Sequence, residues 1–135
     1  MSAWVVWGAV VVALATGVGC AGASAGERGG ASPRGLVRHV VLFKFKEDAP
    51  PEQVRAIEAK FSDLKSRIPA ILDFEWGTNM SPENRAEGFT HCFVLTFRDA
   101  ASRDSYLPHP AHKEFGAQLR PYLDKVLVVD YVSRD

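Results

Sequence analysis

One segment settles more of the architecture than any other. Leu36 to Lys46, LVRHVVLFKFK, alternates as a strand does, yet it is apolar on both sides near its middle. His39, Val41, Phe43 and Phe45 fall on one face, and Arg38, Val40, Leu42 and Lys44 on the other. A strand that leans on a core with one face alone has no use for Val40 and Leu42 on its second. The sheet that this strand enters is therefore expected to be covered on both sides.

The segments that follow supply one of those covers. Pro50 and Pro51 open a helix, where a missing N–H costs nothing, and Val54, Ile57, Phe61, Leu64 and Ile68 then recur at spacings of three and four until Pro69 stops it. Ile71 to Thr78 reads as a second strand, with Leu72, Phe74 and Trp76 on one side. Phe89 to Arg98 reads as a third, with His91, Phe93, Leu95 and Phe97 sharing a face. A short helix over Asp99 to Leu107 and a further one over Ala111 to Leu123 precede a last apolar strand, Val126 to Val132. The order is β-α-β-β-α-β, a ferredoxin-like α+β arrangement. Its helices form one layer on one face of the sheet. The second apolar face predicts a homodimer, two sheets closing face to face into an alpha/beta barrel. A stable monomer at micromolar concentration would contradict this.

Chemistry concentrates at Tyr106 to Gly116, YLPHPAHKEFG, where Tyr106, His109 and His112 crowd a corner broken by Pro108 and Pro110. An imidazole near neutral pH suits proton removal, and a phenol suits stabilising an oxyanion, so Tyr106 with a histidine of this corner is a candidate acid–base pair. The same three side chains could instead hydrogen-bond one another and nearby backbone to fix the corner. On the helix-facing side of the first strand, His39 is either a hydrogen-bonded core residue or looks into the same space, with His109 beside it and Val41, Phe43, Ile57 and Phe61 as apolar walls. His109 and His112 have HxxH spacing, but no helical HExxH pattern and no cysteine pair accompanies it, so no metal is expected. No phosphate-cradling loop, flavin signature or haem motif is present, and no cofactor is expected. Cys92, mid-strand between His91 and Phe93, reads as a small hydrophobe.

Charge excludes some partners and raises a question of location. The formal net charge is zero and no basic run occurs, which argues against nucleic acid. The first charged side chain is Glu27; residues 3–19 are almost all Ala, Val, Gly, Leu and Trp. We read residues 1–20 as a signal peptide and 21–35, small, polar and rich in Gly and Ser, as a flexible linker before a single domain over 36–135. Cys20 after Gly19 fits a lipidated lipoprotein terminus. Cleavage after Ala25 and an uncleaved anchor are the alternatives, and no Lys or Arg precedes the apolar run. Each of these exports the domain, with membrane contact only through the leader or its lipid. A misassigned start codon would leave it cytoplasmic. The mass of the mature amino terminus separates them, since an intact Met1 or Ser2 contradicts both cleavages.

Several motifs taken in order carry a resemblance. RHVVLFKFK, a helix ending in IPAI, WGTNMSPEN with GFTHCFVLTF, then YLPHPAHKEFG and KVLVVDYV together resemble the stress-responsive alpha/beta-barrel (Dabb) family over roughly Leu36 to Val132. The resemblance implies a homodimeric α+β barrel with a pocket between the sheet and its helices. Plant members include stress-induced proteins and a polyketide cyclase, in which a Tyr and a His that correspond to Tyr106 and His112 act as the acid–base pair, and a strand histidine corresponds to His39. Two positions depart from the cyclase pattern: Pro108, where an aliphatic residue is common, and Phe61, where the cyclase has Tyr. Three functions follow as expectations. The first is a pocket for a small hydrophobic or polyketide-like ligand. The second is a cofactor-free cyclase or lyase with His112 as base and Tyr106 as donor. The third is a non-catalytic, stress-associated structural dimer.

Overall fold

The computed structural model describes residues 35–134. The leader, Cys20 and nearly all of the linker lie outside the described residues. The elements are β1 (Val37–Phe45), α1 (Pro51–Arg67), β2 (Asp73–Thr78), β3 (His91–Phe97), α2 (Ala100–Tyr106), α3 (Pro110–Leu119) and β4 (Leu123–Val132). The sheet order is β2-β3-β1-β4, and every pairing is antiparallel. This is the ferredoxin-like fold, with α2 and α3 together in the place of the second helix. Among the described residues no helix is long and apolar enough to cross a membrane.

The register puts the two alternating strands back to back as their sequence demands. Val41 of β1 sits opposite Phe93 of β3 on one side and Val128 of β4 on the other. Its helix-facing neighbours Val37, His39 and Phe43 are buried. α1 lays Ile57, Phe61 and Leu64 on this face. Phe61 is the centre of an aromatic cluster: its ring centroid lies 4.5 Å from that of Phe115, 4.6 Å from Phe93 and 5.6 Å from Phe43. Aromatic side chains bury the most apolar surface per residue, so this cluster ties α1, α3 and both central strands together.

Local chemistry explains the split between α2 and α3. Asp99 caps α2, its carboxylate accepting from the Ser102 backbone N–H at 2.7 Å. Pro108 follows the last turn, and Pro110 stands in the first turn of α3, where its missing N–H has no helical partner to lose. The expectation that this helix reaches Leu123 is corrected. It ends at Leu119, because Pro121 cannot donate to continue it; Tyr122 N–H instead turns back to the Leu119 carbonyl at 3.0 Å, and Leu123 is the first residue of β4. At the loop before β3, Gly88 has φ +82°, and a Cβ there would come within 2.8 Å of the Lys44 side chain.

Among the described residues no helix covers the second face of the sheet. Val40, Leu42 and Val94 lie there half-buried, and on the edge strand Leu127, Val129 and Tyr131 keep 45%, 48% and 50% of their surface exposed. An exposed apolar surface of this kind is the face that the expected pairing of two sheets would cover.

Candidate functional site

A cavity of about 380 Å³ lies between α3 and the β1–β4 half of the sheet. That is within the ~300–1,000 Å³ common for small-molecule sites. Phe43, Phe61, Phe115, Val126 and Val128 line its middle. His39, Tyr106, His112 and Asp130 gather at one end. The fold brings them there from three places. β4 runs back along α3, and its register sets Asp130 directly opposite His39 of β1. Tyr106 is the last residue of α2, and His112 lies in the first turn of α3, so the proline-broken corner brings their rings together at a tilt of 39°, with centroids 4.3 Å apart.

Each polar group has a defined hydrogen-bonding state. His112 Nδ1 lies 2.9 Å from the Leu107 carbonyl oxygen. A carbonyl only accepts, so Nδ1 carries the proton, and Nε2 of the neutral ring keeps its lone pair. His39 Nδ1 lies 2.6 Å from a carboxylate oxygen of Asp130, whose other oxygen accepts from the Arg103 guanidinium. The result is a chain Arg103–Asp130–His39 that fixes the imidazole against the sheet. The Tyr106 hydroxyl differs from both. Its residue is fully buried, and the oxygen has no hydrogen-bond partner among the described residues. Burial pushes its phenol well up, so it stays protonated and is a donor.

These placements sort the expected site residues. His39, Val41, Phe43, Phe61, Tyr106 and His112 all line the cavity. His109 and Ile57 do not. Because Pro110 opens α3, His109 becomes its N-cap, and its Nδ1 turns back to accept from the Ala111 N–H at 3.2 Å. Ile57 is sealed within the core under α1. The corner is not a mutual hydrogen-bond cluster either: both histidines bond backbone, and the phenol bonds nothing described. Asp130 and Phe115 also line the cavity and Arg103 holds Asp130, although none of the three was among the residues expected there. A lone Asp within VLVVDYV was the available signal for the first. Among the described residues no three His, Cys, Asp or Glu side chains come together as a metal-ligand set.

Burial holds the His39 imidazole below its ordinary value of ~6.5, against the opposing pull of Asp130. A depressed pKa means the unfolded chain takes up this proton first as pH falls. The stability tied to neutral His39 is therefore complete above ~6.5 and is lost as pH drops below it. Unfolding free energy is expected to decline from about pH 7 to about pH 5, and His39→Gln should flatten that decline. Denaturant titrations at the two pH values check it; an unchanged slope in the variant would show that other groups set the acid limb.

Together the fold and this corner define a ferredoxin-like domain with a mostly apolar pocket that ends in titratable groups. Residues 37–133 match the stress responsive A/B barrel domain, Dabb, and the chain belongs to that family. It is 39% identical over 98 residues to a stress-response A/B barrel domain-containing protein of Arabidopsis thaliana, covering 73% of this chain and 90% of that one. It is 34% identical to olivetolic acid cyclase of Cannabis sativa, again over 98 residues, 73% of this chain and 97% of the cyclase. Among solved structures, hydroxynitrile lyase from Passiflora edulis superposes with a TM-score of 0.71 at 30% identity, covering 76% of this chain and 97% of the lyase. A dimeric ferredoxin-like protein from Bacteroides fragilis does so with a TM-score of 0.61 at 29% identity, covering 74% and 98%.

Proposed function

We propose that the cavity is an acid–base site for a hydrophobic, partly oxygenated small molecule, and that the chain works as a homodimer. His112 takes an activated C–H proton on Nε2. The electron pair moves onto the adjacent carbonyl oxygen, and the Tyr106 hydroxyl donates a hydrogen bond to the oxyanion that forms there. Asp130, itself held by Arg103, keeps His39 fixed as a neighbouring polar wall. The reading needs no group beyond the chain's own side chains.

One observation carries it: a buried hydroxyl without a partner, in contact with a histidine that keeps a free lone pair, at the end of an apolar cavity. Leaving such a donor unmatched costs about 1–3 kcal/mol, and a ligand oxygen would recover it. That two similar proteins bear the names of a cyclase and a lyase supports proton-transfer chemistry in such a pocket. The exposed apolar side chains on the second sheet face and the dimeric neighbour support pairing. Native mass spectrometry of the purified chain with an alkyl phenyl ketone tests both parts. The expected species is a dimer carrying one ketone per protomer, with uptake lost in His112→Ala. A dimer that takes up nothing would favour the non-catalytic structural role.

A further inference from the structure

We infer that the natural ligand is an elongated oxo acid, lying along α3 with its carbonyl at Tyr106 and a carboxylate at Arg120. The inference rests on the pocket reading above and adds the chemical class.

Three residues of α3 and its C-cap set the geometry. His112, Gly116 and Arg120 recur every fourth residue, so they share one face of the helix, and all three line the cavity. At a rise of ~1.5 Å per residue, the first and last stand about 12 Å apart along the axis. β4 runs antiparallel beside them, with Asp130 at the His112 end and Leu123 at the Arg120 end. The cavity is thus a trough, polar at both ends and apolar between.

Gly116 is the residue that packing does not explain. It lies inside a helix, where glycine is less favourable than alanine, and its backbone needs no left-handed conformation. A Cβ added there would meet nothing within 4 Å. The space that a methyl group would enter is the trough itself. Glycine at this position keeps the floor open midway between the two polar ends.

Arg120 is the second observation, made on a different group. Arg67 pairs with Glu114, and Arg103 pairs with Asp104 and Asp130. The Arg120 guanidinium, on an exposed residue at the end of the cavity, has no hydrogen bond or ion pair among the described residues; Arg55, Arg85 and Arg98 are also exposed and unpaired there, but Arg120 alone of these lines the cavity. Lys46 Nζ donates to the carbonyl of the next residue, Pro121, at 2.7 Å, which adds a second positive charge beside it. The carboxylate closest in sequence, Asp124, is taken by Lys44 at 3.1 Å. At the opposite end the one cation nearby, Arg103, is already taken by Asp130, so no free positive charge there competes for an anion. A ligand carrying one carboxylate is therefore oriented, with the acid at Arg120 and the carbonyl at Tyr106.

The probe pair is benzoylhexanoate, an aryl ketone joined by an alkyl chain to a carboxylate, and its methyl ester. Calorimetric titration of the full chain is expected to show the acid binding about tenfold tighter than the ester. In Arg120→Gln the two should bind alike, through loss of the acid's advantage alone. Gly116→Ala should raise the unfolding temperature and yet weaken both probes by about tenfold. A merely structural glycine would not give opposite signs. Equal weakening of acid and ester in Arg120→Gln, or wild-type affinity in Gly116→Ala, would overturn the inference. Preference for the ester in the wild-type chain would overturn it and leave the pocket reading standing; binding of neither probe would remove both.

Discussion

Replacing Tyr106 by Phe is expected to make the ligand-free protein more stable and the liganded protein worse. The ring is fully buried and packed against His39, Phe97 and His112, with centroid separations of 5.7, 5.2 and 4.3 Å, and phenylalanine preserves all of that. Only the hydroxyl is removed, and it has no partner among the described residues. Releasing an unpaired buried hydroxyl should return about 1 kcal/mol, the low end of its desolvation cost. For a domain of this size that raises the unfolding temperature by roughly 4–8 °C. With a saturating alkyl phenyl ketone the order reverses, because the variant has lost the donor to the carbonyl and binds about tenfold more weakly. Thermal unfolding with and without the ketone measures both effects. Destabilisation of the ligand-free variant would show that the hydroxyl serves the fold.

Much of the fold was legible because local pattern and global packing agree. The alternation in LVRHVVLFKFK, the apolar stripe Val54 to Ile68 and the prolines at 50, 51, 69 and 110 each place an element boundary through one physical cause. The α3–β4 boundary was harder. Leu119 and Leu123 suit a helical stripe and a strand equally well, and Pro121 between them decides the matter. The candidate site divides in the same manner. Tyr106 and His112 are close in the chain, so their spacing reveals them. The His39–Asp130 pair joins residues 91 positions apart, and only the β1–β4 register brings them together. Arg103 reads as an ordinary polar residue of a short helix until Asp130 arrives beside it. His109 misleads because nearness in sequence suggested a shared pocket, whereas the cap it forms turns its ring toward backbone.

The largest effect is expected at His112. Its Nδ1 proton is committed to the Leu107 carbonyl, so the lone pair at Nε2 is fixed in position whenever the ring is neutral. A base held in this way beside a hydrogen-bond donor should contribute about 10²–10⁴-fold to proton transfer. Alanine removes the base and leaves the Tyr106 donor, the apolar walls and the helix intact, since position 112 is only half-buried and alanine favours helix. The measurement that bears most directly on an acid–base pocket is exchange of the α-protons of an alkyl phenyl ketone for deuterium, followed by NMR in heavy water. The wild-type chain is expected to exchange them well above the buffer rate, and His112→Ala is expected to fall back by at least about 10²-fold. Exchange at the same rate in both chains, or at the buffer rate in the wild type, would contradict an acid–base role for this corner.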